Sequence, residues 1–273
     1  MTSPTRDSKI LSGSIAALLL AVLAVVAAAC SSSSSSSTTT STAAAKLTGS
    51  ITVSAASSLT GAFGQLATTF HHKNPGTTVA FNFGSSGALA MQIQQGAPAD
   101  VFASASPGDM ATVRQAGDVS GTPVTFARNQ LEIVVKPGNP LGIHSLSDLP
   151  KAGVVALCVT TAPCGSTARQ ALAKAHVTLA TAKVSLGQDV DATLAEVTTG
   201  DADAGVVYVT NARTVGSQGV GIPIAPEQNV TTSYPIAVVK STTDRTLAQA
   251  WIAYVRGPVG QSVLRQASFL PPH

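Results

Sequence analysis

Beyond residue 46 the apolar positions of the chain switch repeatedly between two periods. Ile51 to Ala55 is a short strand-like run, and Leu59, Ala62, Phe63, Leu66, Ala67 and Phe70 then recur at helical spacing on one face. Val79 to Phe83 predicts a second strand, Ala88 to Gln95 a second helix, and Val101 to Ala103 a third strand. Ser106-Pro107-Gly108-Asp109 supplies a cap residue, a proline at the first helical position and an acid in the first turn, so a helix starts there. A longer strand lies in "NQLEIVVKPGNP", residues 129 to 140, closed by Pro137-Gly138 and Asn139-Pro140. The rhythm then restarts: strand Val154 to Val159, helix Ser166 to Ala175, strand near Val184, helix Val190 to Val197, strand Ala204 to Val209, and a helix from Asn211. A last apolar strand, "YPIAVVK" from Tyr234 to Lys240, precedes helices at Leu247 to Val255 and Gly260 to Arg265.

Strands alternating with helices predict an α/β fold of mostly parallel sheets with helices on both faces. The restart after residue 140 divides it into two lobes, 47–128 with 235–273 and 129–234, joined by crossing strands near 126–136 and 230–240 that would form a two-strand hinge. No internal repeat marks the halves as duplicates.

The first residues follow another logic. Arg6 and Lys9 precede an apolar run from Ile15 to Ala29, which fits a secretory signal over residues 1–29, a permanent membrane anchor being the lesser reading. Ala27-Ala28-Ala29-Cys30 resembles the lipobox of bacterial lipoproteins, so Cys30 is the expected lipidation site, although Ala27 stands where such boxes more often carry leucine. "SSSSSSSTTTSTAAA", residues 31–45, has nothing to bury and reads as a solvated tether within residues 30–46. The expected location is therefore the extracytoplasmic face of the membrane. A net charge of +3 from 16 basic and 13 acidic residues argues against nucleic acid, which asks for clustered cations. With Cys30 assigned, Cys158 and Cys164 remain as a disulfide candidate in an exported protein, and neither has the nearby histidine that a metal site would need.

Candidate chemistry gathers at four strand-to-helix turns: Ser57-Ser58 before Leu59, Ser85-Ser86 before Ala88, Cys164-Gly165-Ser166 before Thr167, and Asp189-Val190. Each presents unpaired backbone N–H groups at the positive end of a helix, beside a small or hydroxyl side chain. Any one could be a cap alone, but ligands of open α/β sheets collect outside the carboxyl ends of the strands, where such turns converge.

"ITVSAASSLTGAFGQLATTF", "FNFGSSGALAMQIQQGAPADVFASA", "GDADAGVVYVTNA" and "YPIAVVK" together resemble the molybdate-binding proteins of bacterial molybdate ABC importers, from about residue 50 to the C-terminus. The resemblance implies a two-lobed class II periplasmic-binding-protein fold, no cofactor, and capture of molybdate or tungstate for a membrane permease by a lipid-anchored monomer. Carried over by position, the oxyanion contacts would be the hydroxyls of Ser58, Ser86 and Tyr208 and the backbone N–H groups of Cys164 and Val190. Cys164 stands where many relatives have alanine, and Asn211 where an aspartate is frequent. Gly84 and Gly87 would let the backbone approach the anion, with Ser85 a cap and Tyr234 and Tyr254 core or hinge residues.

The donor set suits the ligand. Molybdate carries no proton at neutral pH, so hydroxyls and amides that only donate satisfy it, whereas phosphate, partly protonated, would gain from a carboxylate acceptor. Asp189 is the nearest carboxylate in sequence and, as an N-cap, can turn to its own helix. Sulfate poses the same hydrogen-bond problem at smaller size and is the alternative ligand. A receptor for ferric iron would want paired tyrosines and carboxylates, and Tyr208 has no second tyrosine near it in sequence. A serine hydrolase using Ser85 or Ser86 lacks the Gly-x-Ser-x-Gly frame, since Phe83 and Ala88 occupy the outer positions. No Gly-Lys-Ser/Thr follows the glycines for a phosphate loop, and the five histidines (His71, His72, His144, His176, His273) read as surface residues.

Overall fold

Strand β1 (Thr48–Ala56) buries Ile51, Val53 and Ala55 on one face and enters a 3₁₀ turn (Ser57–Leu59) that leads into helix α1 (Thr60–Lys73). These coordinates come from a computed structural model that describes residues 46–273. The expected signal segment (residues 1–29), Cys30 and the Ser/Thr tract to residue 45 lie outside the described residues. Next come β2 (Gly76–Gly84), α2 (Ser86–Gln94), β3 (Val101–Ala103), α3 (Pro107–Gln115) and β4 (Val119–Asn129). The chain then crosses into β5 (Leu131–Val135), β6 (Val155–Cys158), α4 (Pro163–Lys174), β7 (Val184–Gly187), α5 (Val190–Thr199), β8 (Ala204–Tyr208), α6 (Val209–Ala212) and β9 (Val220–Pro223). It returns through β10 (Thr232–Val239) to α7 (Arg245–Arg256) and α8 (Pro258–Gln266).

Two five-stranded sheets result, ordered β2-β1-β3-β10-β4 and β7-β6-β8-β5-β9. Both are mixed. β1 runs parallel to β2 and β3, and β6 to β7 and β8, while β10 and β5 each pair antiparallel on both sides. β4 and β9, absent from the sequence expectations as separate strands, are both edge strands. Their half-exposed, polar-interrupted sequences carry little apolar signal, and an edge tolerates Pro123 because no ladder is needed on its outer side. Helix α4 starts at Pro163, three residues before the expected Ser166, because proline at the first helical position brings a pre-set φ and gives up no needed N–H.

Side chains alternate across the first sheet. Val101, Ala103, Ile236 and Val238 face α1, α7 and α8, while Phe102, Ala237 and Val239 face Leu89, Ile93, Met110 and Val113 of α2 and α3. Trp251 of α7 is fully buried, with Phe63 and Phe70 edge-on at centroid distances of 5.6 and 5.5 Å. This aromatic cluster holds α1, and hence the 3₁₀ turn at its start, against the sheet. The two crossings between the sheets are tied together: Asn229 Oδ1 accepts from Leu131 N at 3.0 Å and its Nδ2 donates to Leu131 O at 2.9 Å. Among the described residues no helix is long and apolar enough to span a membrane.

Trp251→Ala removes the centre of the aromatic cluster and should cost about 3–5 kcal/mol, read as a lower urea midpoint with an unchanged slope.

Candidate functional site

Each of the four turns leaves the carboxyl end of a parallel strand. Ser85 caps α2 by accepting from Ala88 N at 3.3 Å, and Asp189 caps α5 by accepting from Ala192 N at 3.0 Å, so that carboxylate is engaged with its own helix. Cys158, ending β6, and Cys164, in the first turn of α4, are joined by a disulfide with Cα atoms 5.8 Å apart. The turns meet across the seam between the sheets. The 3₁₀ turn packs against α5, Thr60 Oγ1 donates to Asp191 Oδ2 at 3.4 Å, and Gly87 lies against the Thr161 carbonyl. A Cβ on residue 87 would overlap that oxygen, whereas one at Gly84 would find ordinary contacts. Gly87 admits the opposing loop, and Gly84 is not sterically required.

The five expected contact residues are all buried: Ser58 is 9% exposed, Ser86 0%, Cys164 3%, Val190 2% and Tyr208 1%. Clefts open on either flank of them. One of about 470 Å³ is lined by Ser58, Thr60, Asp191, Asn211 and Arg213. The other, of about 610 Å³, is lined by Ser85, Ser106, Asp109, Thr161 and Ser166. Ser86, Cys164, Val190 and Tyr208 are buried and line neither.

Hydrogen bonding leaves protons to spare at several of these buried residues. Ser86 Oγ accepts from Ala105 N at 2.9 Å, which leaves its own proton free to donate. The amides of Cys164 and Val190 stand in the first turns of α4 and α5 with no acceptor among the described residues. The Tyr208 hydroxyl is buried with no hydrogen-bond partner. The hydroxyls of Thr167, which donates to Pro163 O at 2.6 Å, and of Tyr234 are near enough to affect its ionisation but lie outside hydrogen-bond geometry. Burial, followed by the neighbouring Tyr234, raises the Tyr208 pKa well above its ordinary value, so the group is a neutral O–H donor.

Tyr234 was expected in the core or hinge, and its ring is there, edge-on to Tyr208 at 6.1 Å. Its hydroxyl nevertheless reaches Ser58 Oγ at 2.9 Å and also receives Asn129 Nδ2 at 3.2 Å. Neither Asn129 nor this role of Tyr234 was read from the sequence. The opening tyrosine of an otherwise aliphatic strand was the one available signal. The Asn211 substitution also becomes intelligible: its Nδ2 donates to Asp191 Oδ1 at 2.6 Å, where an aspartate would set two carboxylates against each other. Burial, with repulsion from Asp189, raises the Asp191 pKa to about 6 against the hydrogen bonds from Thr60 and Asn211. Burial also raises Asp109 to about 6, against its hydrogen bond with Ser106. The five histidines are exposed, and no group of three or more metal-ligating side chains occurs among the described residues.

Two mixed five-stranded sheets, with helix starts gathered where their parallel strands end, define the architecture of a two-lobed solute receptor. The chain belongs to the family of bacterial extracellular solute-binding proteins, which it matches over residues 51–270. It is 40% identical over 224 residues to the molybdate-binding protein ModA of Mycobacterium tuberculosis, covering 82% of this chain and 85% of that one. It is 30% identical to the putative ABC transporter substrate-binding lipoprotein YvgL of Bacillus subtilis, covering 81% and 86%. Among solved structures, the periplasmic molybdate-binding protein of Azotobacter vinelandii superposes with a TM-score of 0.72 at 22% identity, over 82% of this chain and all of that one. The sulfate-binding protein SubI of Mycobacterium tuberculosis reaches the same TM-score at 20% identity, over 81% and 86%. At those identities the superpositions establish the fold, whose two mixed sheets agree with the two-lobed expectation.

A carboxyl whose folded pKa lies above its unfolded value stabilises most below the unfolded pKa, and that contribution is lost as pH rises through the folded one. Asp191→Asn, which keeps an acceptor for Asn211, should therefore raise the melting temperature near neutral pH by the equivalent of roughly 1 kcal/mol after solvent screening. The gain should fade as pH drops through about 6 and vanish near pH 4 in paired thermal melts of variant and parent.

Proposed function

We propose that this protein is the extracytoplasmic molybdate receptor of an ABC importer. It closes two lobes on the oxyanion through Ser58, Ser86, Tyr208 and the Cys164 and Val190 amides, then presents the closed form to a membrane permease. The observation that carries this reading is the Tyr208 hydroxyl, a buried donor without a partner, among hydroxyls and amides whose protons are also uncommitted. Such a seat matches an acceptor-only dianion. Partial charges at several helix starts, acting where water is excluded, can hold a double charge with no lysine or arginine in contact. Monohydrogen phosphate would gain from a carboxylate acceptor, and none of the five positions is Asp or Glu, which disfavours it.

Tungstate, with the same charge and hydrogen-bond demand, is a second ligand. The relatives of 30% identity and above that bear a ligand in their names are named for molybdate, which favours it over sulfate. Hinge closure would occur at Gln130 and residues 224–231, where the chain crosses between the lobes (47–128 with 235–273, and 129–234). Anchoring through a lipidated Cys30, with residues 31–45 as tether and the protein acting as a monomer, completes the proposal. Its support is the lipobox-like sequence and the lipoprotein name of the Bacillus subtilis relative.

Calorimetric titration of the processed protein should give saturable heats for molybdate and tungstate and none for phosphate. Sulfate heat without molybdate heat would replace the ligand. Ser86→Ala removes one donor to a charged oxygen and should weaken molybdate roughly tenfold to hundredfold; because it also strips the Ala105 amide of its acceptor, it should lower the unfolding free energy by about 1–3 kcal/mol.

A further inference from the structure

We propose that Tyr234 and Asn129 fix the direction of the Ser58 hydroxyl, making it an obligate donor to the oxyanion and an element of selectivity against protonated oxyanions. The inference rests on the oxyanion reading of the site and deepens it. A serine hydroxyl can donate or accept, and a seat for an unprotonated dianion tolerates donors alone. Something must therefore hold the Ser58 proton toward the ligand.

The surrounding bonds do so in sequence. Asn129 is fully buried, and its Oδ1 accepts from Gln130 N at 3.0 Å. A backbone N–H can only donate, so this contact decides which end of the amide is oxygen, and Nδ2 must face the other way. Its two protons go to Thr210 Oγ1 at 2.9 Å and Tyr234 Oη at 3.2 Å. With a proton arriving from Asn129, Tyr234 directs its own to Ser58 Oγ, 2.9 Å away. Ser58 Oγ is then an acceptor inside the protein, and its proton is left for the ligand. The other branch runs in the same sense: Thr210 Oγ1 donates to Asn211 Oδ1 at 3.3 Å, and Asn211 Nδ2 to the Asp191 carboxylate at 2.6 Å. That carboxylate, when ionised, can only accept, so polarity is pinned at both ends, by a backbone donor and by an anionic acceptor.

Tyr234 acts through Ser58, so its contribution should disappear with the Ser58 hydroxyl. Tyr234→Phe keeps the ring and should weaken molybdate roughly tenfold in the parent background but less than about twofold in Ser58→Ala. It should also narrow the preference for molybdate over phosphate, because a freed Ser58 can turn a lone pair to a protonated ligand. An equal loss in both backgrounds, or no loss in the parent, would overturn the proposal, since a structural tyrosine would behave that way. Asn129→Asp provides a second test that does not depend on Tyr234→Phe folding well. Its carboxylate would take the Tyr234 proton and reverse Ser58, so its loss should shrink once Ser58 is alanine, the residue left in that background measuring the added charge alone. The same cycles are run with sulfate if the parent binds sulfate but not molybdate, which corrects the ligand while still deciding the relay. If the parent binds none of molybdate, tungstate and sulfate, both this inference and the function it rests on fall.

Discussion

A buried dianion contacted only by uncharged groups requires every contacting group to donate, and the proposed site is organised around that requirement. Backbone amides meet it without ambiguity because an N–H has no second role. Hydroxyls meet it only when something else takes their lone pairs. Ser86 is turned by the Ala105 amide, and in the relay proposed above Ser58 is turned by Tyr234. Tyr208 is left with a proton and no acceptor within the protein, an arrangement that costs about 1–3 kcal/mol and that an oxyanion oxygen in the proposed site would offset. The orphan hydroxyl is therefore better understood as half of an interaction than as a packing fault.

The fold's part is to bring rigid helix starts to one place. Parallel pairs β1/β2 and β6/β7 deliver four turns in register, and their helices are held by packing far from the seam. Trp251, Phe63 and Phe70 fix α1, the Cys158–Cys164 bridge ties the start of α4 to the strand it follows, and Gly87 lets α2 close against the Thr161 carbonyl. None of these groups donates to the seat. They remove the freedom that would let a donor find a partner elsewhere, which is what preorganisation amounts to in hydrogen-bond terms.

How far the sequence revealed this depended on whether a feature had a periodic or a long-range cause. Central strands and amphipathic helices were legible because burial on fixed faces leaves a period of two or of 3.6 residues. The edge strands β4 and β9 were not, since exposure on one side dilutes that pattern, and the start of α4 was misjudged by one turn because Pro163 acted as a first helical residue and not as a breaker. In the site, residues at turns were legible from small and hydroxyl side chains beside a helix start. Asn129 and the outward reach of Tyr234 were invisible. They depend on pairs 105 and 176 residues apart, and no local pattern encodes a hydrogen bond across two crossings of the chain.

Asp191 sharpens the same constraint from the opposite side. In the proposed site a carboxylate one residue beyond Val190 should repel the anion that the Val190 amide would attract, yet it stands exposed at the cleft, where solvent screens it and Asn211 and Thr60 donate to it. It also terminates the chain of bonds running through Thr210 from Asn129, and a terminal acceptor is what prevents that chain from reversing. An asparagine at 211 and an aspartate at 191 are thus one solution and not two. Exchange of the amide for a carboxylate would still give Thr210 Oγ1 an acceptor, but it would set two carboxylates in hydrogen-bond contact, a pair that holds together only by sharing a proton, so the end of the chain would no longer have a fixed sense.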